Sequence, residues 1–252
     1  MKVGFVIPVY NHGSTIDSVL SAVDGYGLPV IVVDDGNDEQ NRTAIAAAVQ
    51  KHPQAVLVTH KKNSGKGAAM NSGVCKALEL GLTHVFQLDA DGQHDTARCG
   101  FFLEQSERNP NALICGFPEY DQTVPECRQK GREISNRWAR AVTLNKNIVD
   151  ALCGFRIYPL EPYMRIMSRL VVFDKRMGFD PEILIRFSWK NVPIIFYSVH
   201  VTYPKECISN FRMVRDNICI SLMFARLCLG MFVRFPCLLF QSIRRKKQDE
   251  KN

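Results

Sequence analysis

The sequence predicts an α/β fold in which helices cover both faces of a mostly parallel central sheet. Three observations lead to this prediction. Up to about residue 116 the chain alternates short strands with helices, the strands are almost continuously apolar, and most of them end in polar residues. A strand that is apolar at nearly every position has to be buried on both faces, which is typical of parallel sheets. Ligands bind such sheets outside the carboxyl ends of the strands, so the polar residues there mark a candidate site.

The elements follow one another in the order that such a sheet requires. Runs of apolar residues predict the strands, and helical spacing of apolar residues predicts the helices. The predicted strands are 3–7, 29–33, 55–59, 84–88, 112–116, 154–158 and 193–197; the predicted helices are 14–24, 42–51, 67–80, 96–108, 126–142 and one from about 181. Because no internal repeat or low-complexity linker interrupts the chain, residues 1–215 are predicted to form one domain.

The C-terminal segment, residues 216–252, is predicted to form basic, amphipathic helices. At about 100° per residue, the arginines from 212 to 234 lie on one third of the helix and the large apolar residues lie opposite. Pro236 should break or kink the helix, and the arginines argue against a bilayer span of roughly 20 apolar residues. We expect these helices to lie in the interface of an anionic membrane. A helix docked on the domain, with its arginines in solvent, has the same pattern.

Composition and charge narrow the classes of function. Apolar residues make up 46% and charged residues 23% of the chain, as in an ordinary globular protein. The net charge of +7 indicates an anionic partner, such as a phosphorylated ligand or a membrane surface. Nucleic acid is less favoured, because the basic residues before the C-terminal segment lack interleaved aromatics. Nine cysteines without a C-x-x-C pair argue against a zinc site or a disulfide framework and indicate a reducing cytosol.

Two carboxylates, Asp89 and Asp91, follow the predicted strand at 84–88. Carboxylates at positions i and i+2 after a strand can project into one crevice. Mg²⁺ and Mn²⁺ often bind through one or two carboxylates together with substrate phosphates. An ordinary acidic turn has the same local pattern. The pair Asp34-Asp35 ends another strand, and it can either accept hydrogen bonds from a ribose or base or cap the following helix.

A glycine-rich segment, NSGKGAAMN at 63–71, places Lys66 between two glycines where a helix is predicted to begin. It does not match a Walker A loop, because His60 stands at the position of the first glycine and Gly67 at that of the Ser or Thr. A helix N-terminus with a lysine can contact a diphosphate or a ribose. A strand-to-helix turn with an exposed lysine is the alternative.

Six motifs, taken in order, resemble one known family. They are PVYNH (8–12), VVDDGND (32–38), NSGKGAAMNSG (63–73), DADGQH (89–94), CGFRIY (153–158) and FDPEIL (179–184). Together they are similar to the inverting family 2 glycosyltransferases of the GT-A fold, and above all to the group around dolichyl-phosphate mannosyltransferase and the bacterial polyprenyl-phosphate glycosyltransferases. The resemblance covers roughly residues 3–215.

The resemblance implies a nucleoside-diphosphate sugar as donor, with Mg²⁺ or Mn²⁺ on its diphosphate. The family often has glutamate at the position of His12 and serine at that of Asn37, so this chain departs from the pattern there. The residues implied to bind the nucleotide sugar are Pro8, Tyr10, His12, Asp35, Lys66 and Asp89. The implied metal ligands are Asp91, Asp89 and Gln93, with Asp91 also counted as catalytic, because the metal stabilises the leaving diphosphate.

The acceptor decides whether the reaction needs a base. A hydroxyl has to lose a proton to a nearby carboxylate, for which Glu182 and Asp180 are the candidates. A lipid phosphate is already ionised and needs cations to position it; the candidates for acceptor binding are Arg128, Arg132, Ser135, Arg156 and Arg212. The alternative for the arginines is a solvated helix face, and that for Glu182 is an acid that favours a helix N-terminus.

We therefore expect a metal-dependent glycosyltransferase that is peripheral on the inner, cytoplasmic face of the cytoplasmic membrane. Its lipid-linked acceptor would be a polyprenyl phosphate or a glycolipid hydroxyl. A sugar nucleotidyltransferase shares the overall fold, but its G-x-G-x-x-R loop is replaced here by PVYNHG (8–13). A catalytically silent membrane-binding module is the third candidate, and the intact Asp89, Asp91 and Lys66 argue against it.

Overall fold

The central sheet has seven strands, most of them parallel. A computed structural model describes residues 1–120, 126–168, 172–201 and 212–249, apart from the side chains at 120, 126–128, 213 and 246–249. The strands are β1 (Val3–Val9), β2 (Val30–Asp34), β3 (Ala55–Thr59), β4 (His84–Gln87), β5 (Leu113–Tyr120), β6 (Arg156–Pro159) and β7 (Ile194–Val201). Their order in the sheet is β3-β2-β1-β4-β6-β5-β7. Strand β6 runs antiparallel to both neighbours, while the other adjacent pairs are parallel.

Helices cover both faces of the sheet, as predicted. They are α1 (Ile16–Asp24), α2 (Glu39–Lys51), α3 (Lys66–Glu79), α4 (Cys99–Arg108), α5 (Glu126–Thr143), α6 (Leu160–Met167), α7 (Phe179–Trp189) and α8 (Met213–Asp249). Successive β1 residues point to opposite faces: Phe5 packs in the cluster with α1, α2 and α4, and Val6 in the cluster with α3 and α5 to α8. The strand ends that face the candidate site are therefore held between two apolar layers.

The sequence prediction leaves out α6, and the break that it allows at Pro236 does not occur. Helix α6 carries Pro162 in its first turn, where a backbone N–H has no intrahelical partner to lose. Helix α8 continues through Pro236 as one helix of 37 residues, so the predicted pair of shorter helices is a single element. Pro236 lies on the exposed side of the helix, where the missing hydrogen bond leaves no buried carbonyl behind.

Helix α8 docks on the domain, and three of its arginines contact α7. Arg226 pairs with Glu182 of α7, the guanidinium of Arg234 lies 4.8 Å from the ring of Trp189, and Arg245 donates to the carbonyl oxygen of Ser188 at 3.3 Å. Four α8 side chains complete the core beside α5 and α7: Met223, Phe224, Leu227 and Leu238. The predicted boundary between residues 215 and 216 falls inside this helix.

The outer face of α8 is apolar. Its exposed large side chains include Ile218, Leu222, Leu229, Phe232, Val233 and Phe240. By length and composition alone, the helical segment Val214–Arg245 is apolar enough to cross a membrane; its most apolar window of 18 residues has a mean hydropathy of 1.9. The expectation that the arginines argue against a span is therefore not supported by composition. The expectation that a basic face points away from the domain is wrong for Arg226, because this side chain has a carboxylate partner in α7.

Candidate active site

A cleft of about 530 Å³ opens at the carboxyl ends of β1, β2 and β4. Parallel strands bring their carboxyl ends to one edge, so loops that are distant in sequence meet there. The N-terminal ends of α3 and α8 complete its walls. The cleft is lined by every residue predicted to bind the nucleotide sugar or the metal: Pro8, Tyr10, His12, Asp35, Lys66, Asp89, Asp91 and Gln93.

Asp35 fixes the loop that leads into α3. Its carboxylate accepts hydrogen bonds from the backbone N–H groups of Ser64 at 2.9 Å and Gly65 at 2.8 Å. Nδ1 of His60 lies 2.8 Å from the same carboxylate. Asp34 instead accepts from the backbone N–H of Asn37 at 2.9 Å. The strand-end pair therefore organises two loops, and the alternative that it caps α2 is wrong, because another residue, Asp38, is the N-cap of that helix.

Lys66 joins two carboxylates at the base of the cleft. Its Nζ lies 2.6 Å from Asp89 and 2.7 Å from Asp180. Burial alone would lower the pKa of the ammonium group, but the charges of Asp180 and Asp89 outweigh burial and raise it. Burial would likewise raise the pKa of Asp89, yet Lys66 keeps this pKa below its ordinary value. Lys66 is therefore a permanent cation that contacts one carboxylate of the predicted metal site.

Asp91 is held by its own turn and fits a metal ligand. The backbone N–H of Gln93 donates to its Oδ1 at 3.0 Å. Burial, followed by the charge of Asp89, raises the pKa of Asp91. A divalent cation would relieve this repulsion, and two carboxylates with an amide oxygen are the hard donors that Mg²⁺ and Mn²⁺ prefer. The described residues hold no cluster of three or more acidic, His or Cys ligands, so substrate oxygens and water would complete the shell.

Gly154 explains why the CGFRIY motif carries a glycine beside the site. A Cβ built on Gly154 would lie 2.5 Å from Oδ2 and 2.8 Å from Oδ1 of Asp89. Real Cβ atoms do not approach a carboxylate so closely, so any other residue would displace Asp89. The loop before β6 therefore supports the carboxylate of Asp89 through close packing.

A second, smaller cavity of about 90 Å³ borders the same carboxylate turn, Asp89 to Asp91, as the cleft does. Arg132 of α5 reaches it and is oriented by Asp150, with Nη2 at 2.8 Å from Oδ1. Burial would lower the pKa of His94, but contact with Cys153 and then the charges of Asp89 and Asp91 outweigh it and raise the pKa to about 9. The cavity is lined by residues that include Asp89, Asp91, Gln93, His94, Pro118, Arg132 and Cys153.

Glu182, a predicted candidate base, is engaged by partners within the fold. Glu182 is 2% exposed, and its carboxylate forms ion pairs with Arg186 and Arg226. It also accepts a hydrogen bond from the backbone N–H of Asp174 at 2.7 Å. Both of its oxygens are thus engaged, and Glu182 lies away from the residues that line the cleft. Its role here is to tie α7 to α8.

Asp180 and Arg156, a predicted base and a predicted acceptor residue, are also held by partners within the fold. The carboxylate of Asp180 pairs with Lys66 and accepts a hydrogen bond from Nε2 of Gln87 at 2.9 Å, so it orients Lys66 from below the cleft. Arg156 is fully buried and donates to the carbonyl oxygens of Asp180 at 2.7 Å and Ala151 at 2.8 Å. An enclosed guanidinium with these partners supports the fold and does not meet an acceptor.

The other predicted acceptor residues separate into two places. Arg132 lines the second cavity, and Ser135 is buried one turn further along α5. Arg212 lies at the start of α8 and lines the larger cleft. The side chain of Arg128 falls outside the part of the chain that the structure describes. The roles of Arg132, Ser135 and Arg212 in acceptor binding stay predictions.

Sequence reasoning missed part of the cationic lining of the cleft. Arg176 and Arg215 line it beside Lys66, and Nη1 of Arg176 donates to Oδ1 of Asn63 at 2.9 Å. The pair Lys175-Arg176 stands three residues before the FDPEIL motif begins at Phe179, and this position was the available signal. The sequence alone could hardly show that these arginines line the cleft, because only the folded chain brings α7 next to the loop before α3.

The sequence matches one protein family over most of its length. The profile of Glycosyl transferase family 2 matches residues 5–167. The chain therefore belongs to this family of glycosyltransferases, as the six motifs predict.

Two relatives illustrate the similarity. The chain is 26% identical over 220 residues to a dolichyl-phosphate beta-glucosyltransferase of Dictyostelium discoideum, covering 78% of this chain and 65% of that protein. It thus spans less than two thirds of that relative. It is 26% identical over 219 residues to polyprenol monophosphomannose synthase of Mycolicibacterium smegmatis, covering 82% of each.

A solved structure confirms the GT-A fold. Glucosyl-3-phosphoglycerate synthase of Mycobacterium tuberculosis, in complex with Mn²⁺, UDP-glucose and phosphoglyceric acid, superposes with a TM-score of 0.67. The match covers 91% of this chain and 79% of that chain at 15% sequence identity. At this identity the likeness establishes the fold alone.

Proposed function

We propose that the protein transfers a sugar, with inversion, from a UDP- or GDP-sugar to a polyprenyl phosphate. The observation that carries the proposal is the carboxylate turn of Asp89 and Asp91, which lines both a large cation-rich cleft and a second cavity with Arg132. Two cavities that share one polar wall suit a donor and an acceptor that react across it. The names of the relatives, which refer to dolichyl phosphate and polyprenol, support the class of acceptor.

The donor would occupy the larger cleft. Its cationic side chains suit a diphosphate: Lys66, Arg176, Arg212 and Arg215. Mg²⁺ or Mn²⁺, held by Asp91, Asp89 and Gln93, would stabilise negative charge on the leaving diphosphate. Lys66 stays protonated between its two carboxylates, so it adds a fixed positive charge at the same end of the cleft.

The candidate bases favour a phosphate acceptor over a hydroxyl. A hydroxyl needs a carboxylate that is able to take its proton. Glu182 is bound by two guanidinium groups, and Asp180 is paired with Lys66. A polyprenyl phosphate is already ionised and needs cations instead, and Arg132 and His94 lie in the second cavity. These contacts support polyprenyl phosphate and disfavour a glycolipid hydroxyl.

The exposed face of α8 supports membrane association. Exposed apolar side chains recur along the helix, and Leu229 and Val233 are 70% and 82% exposed. A contiguous apolar surface of this kind is unfavourable in water and favourable at a bilayer interface. A lipid-linked acceptor would then meet the enzyme at the membrane surface. We place the protein on the inner face of the cytoplasmic membrane as part of the proposal.

A transfer assay with matched acceptors tests the proposal. The purified protein is incubated with vesicles that contain either a polyprenyl phosphate or the corresponding polyprenol, a panel of UDP- and GDP-sugars, and Mg²⁺, Mn²⁺ or EDTA. We expect product from the phosphate only, with divalent metal present and with an inverted anomeric centre by NMR. Transfer to polyprenol alone would contradict the acceptor. Neither binding nor turnover of any donor with metal present would favour a silent membrane-binding module.

A further inference from the structure

A histidine that the proposed function does not use lies behind Asp35. Nδ1 of His60 is 2.8 Å from Oδ1 of Asp35, and its Nε2 is 2.8 Å from Oγ of Ser72. An ionised carboxylate cannot donate a proton, so Nδ1 carries the hydrogen, and in the neutral ring Nε2 accepts from the Ser72 hydroxyl. The three side chains come from the end of β2, the residue after β3 and helix α3.

The contact determines how many hydrogen bonds Asp35 still has to offer. An ionised carboxylate has about four acceptor positions, two on each oxygen. Oδ1 takes the ring N–H of His60 and the backbone N–H of Ser64, while Oδ2 takes the backbone N–H of Gly65. Counting donors from the described residues, one position remains, on Oδ2. Asp35 lines the cleft, so this position is available to a ligand there.

One remaining acceptor position discriminates between nucleobases. Guanine presents two adjacent donors, N1–H and N2–H, and its best partner is a carboxylate with both oxygens free. Uracil presents a single donor, N3–H, which needs one acceptor. Cytosine would turn the lone pair of its N3 toward the negative carboxylate. A polar donor left unpaired on binding costs affinity, so the occupied Oδ1 disfavours guanine.

We infer that His60, held by Ser72, is a positioning residue for Asp35 and makes the nucleotide site selective for uracil over guanine. By filling Oδ1, His60 both fixes the carboxylate and removes the second acceptor that guanine needs. The inference rests on the proposed function, since it takes the base of the donor to lie at Asp35.

Binding of free nucleotides tests the inference. The full-length protein is titrated with UDP and GDP in the presence of Mn²⁺ by isothermal calorimetry. For the wild type we expect UDP to bind at least about tenfold more tightly than GDP, the size of effect expected from one unpaired polar donor. His60→Ala should weaken UDP more than GDP and reduce the ratio to below about threefold. An equal loss for both nucleotides would overturn the selectivity, because loss of structure alone does not distinguish bases.

Two further variants serve as a control and as a substitute for His60→Ala. His52→Ala removes another aspartate-paired histidine, whose Nδ1 lies 2.6 Å from Asp24 and away from the cleft, so both affinities should stay unchanged. If His60→Ala does not fold by circular dichroism, Ser72→Ala keeps the ring but removes its second hydrogen bond, and the UDP to GDP ratio should fall in part. An unchanged ratio in Ser72→Ala would then overturn the role of the pair.

The possible failures are distinguishable. A wild type that prefers GDP but still transfers sugar to polyprenyl phosphate would overturn the uracil selectivity and leave the proposed function intact. A wild type that binds neither nucleotide with metal present would overturn both.

Discussion

At the residue scale, Lys66 is the charge that holds the carboxylates of Asp89 and Asp180 together at the base of the cleft. Removal of one partner from a buried ion pair costs about 3–5 kcal/mol, because an uncompensated charge remains. We therefore expect Lys66→Met to lower the free energy of unfolding by this amount in urea titrations and to weaken nucleotide binding. Adding Asp180→Asn should recover part of the stability.

Lys76→Met is the matched control for Lys66→Met. Lys76 pairs with Glu79 on the exposed side of α3 at 2.9 Å, and exposed pairs contribute about 0–1 kcal/mol. Equal losses of stability in the two lysine variants would contradict the role of Lys66.

Gly154 allows a second prediction at the residue scale. A Cβ at this position would press on the carboxylate of Asp89, so Gly154→Ala should weaken Mn²⁺ binding in the presence of UDP by about 10–100-fold, as changes to the support of a metal ligand do. Electron paramagnetic resonance of free Mn²⁺ measures the affinity. Gly131→Ala is the control, since a Cβ at Gly131 in α5 meets nothing within 4 Å. Equal Mn²⁺ affinity in both variants would show that Asp89 is not a ligand.

The pKa of Asp150 gives a prediction about pH. Burial would raise this pKa, but Arg132 and then the backbone N–H groups of Cys153 and Leu152 outweigh it and lower the pKa. A folded-state pKa below the unfolded value of about 3.9 contributes stability above that pH, and this stability is lost as the pH falls through the folded-state pKa. The difference in unfolding free energy between wild type and Asp150→Asn should therefore be constant near neutral pH and shrink below about pH 4.

Asp17→Asn is the control for the pH prediction. Asp17 is a half-exposed carboxylate that pairs with Lys51 at 3.3 Å, and such pairs contribute little. A stability difference for Asp150→Asn that grows in acid would have the wrong sign and would contradict the assignment.

Residues at strand ends were predictable, whereas residues that pair across the fold were not. Asp35, Asp89 and Asp91 follow buried strands, and parallel strands bring such positions to one edge whatever the side-chain details. No comparable rule predicts the partners of Glu182. Its partner Arg226 is 44 residues away in sequence, and only the docking of α8 on α7 brings the two together.

At the element scale, Glu182 links two helices, and we expect that it does not take a proton. Glu182→Gln should lower the free energy of unfolding by about 3–5 kcal/mol, because Arg186 and Arg226 lose their shared carboxylate. In protein that remains folded, kcat for transfer should change by less than about threefold, whereas loss of a general base costs about 100-fold or more. Thermal unfolding and saturating transfer rates measure the two effects.

Glu161→Gln is the control for the helix link. Glu161 pairs with Arg165 on the exposed surface of α6, so both its stability and its kcat should stay close to wild type. A fall in kcat of about 100-fold or more in folded Glu182→Gln would restore Glu182 as a base.

At the element scale, secondary structure was hardest to predict where a proline and the pattern of apolar residues indicate different structures. The strand at 55–59 was predicted to the residue, because its β-branched run ends at polar neighbours. Helix α6 was not predicted, since Pro162 indicates a turn unless it falls in the first turn of a helix. Pro236 was expected to break or kink the helix, yet apolar packing on both sides of it keeps α8 continuous: Met231 packs against the core before it and Leu238 after it.

At the scale of the whole molecule, α8 connects the larger cleft with the exposed apolar surface. Arg215 in its first turn and Arg212 just before it line the cleft, and its middle closes the core with Met223 and Leu227. Deletion of residues 217–252 would thus uncover the core as well as remove the exposed apolar surface. Substitutions on the outer face separate these two effects, because they leave the packed face unchanged.

We expect Leu229→Glu with Val233→Glu to release the protein from membranes. Each side chain buried in the bilayer interface contributes about 1.5–3 kcal/mol, and the glutamates add the cost of dehydrating two charges. Sedimentation with vesicles that contain anionic lipid should fall at least about tenfold, with UDP binding in solution unchanged. Leu78→Glu with Leu80→Glu is the matched control, since these leucines are 40% and 43% exposed at the C-terminal end of α3, opposite the end that borders the cleft.

A salt wash separates apolar from electrostatic contact with the membrane. At 0.5 M KCl the Debye length is about 4 Å, so surface charges are strongly screened. Because Arg226 and Arg234 contact the domain, this salt concentration should release less wild-type protein than the double substitution does. Vesicle binding that survives both glutamates but is abolished by salt would instead assign the membrane contact to the basic residues near the C-terminus.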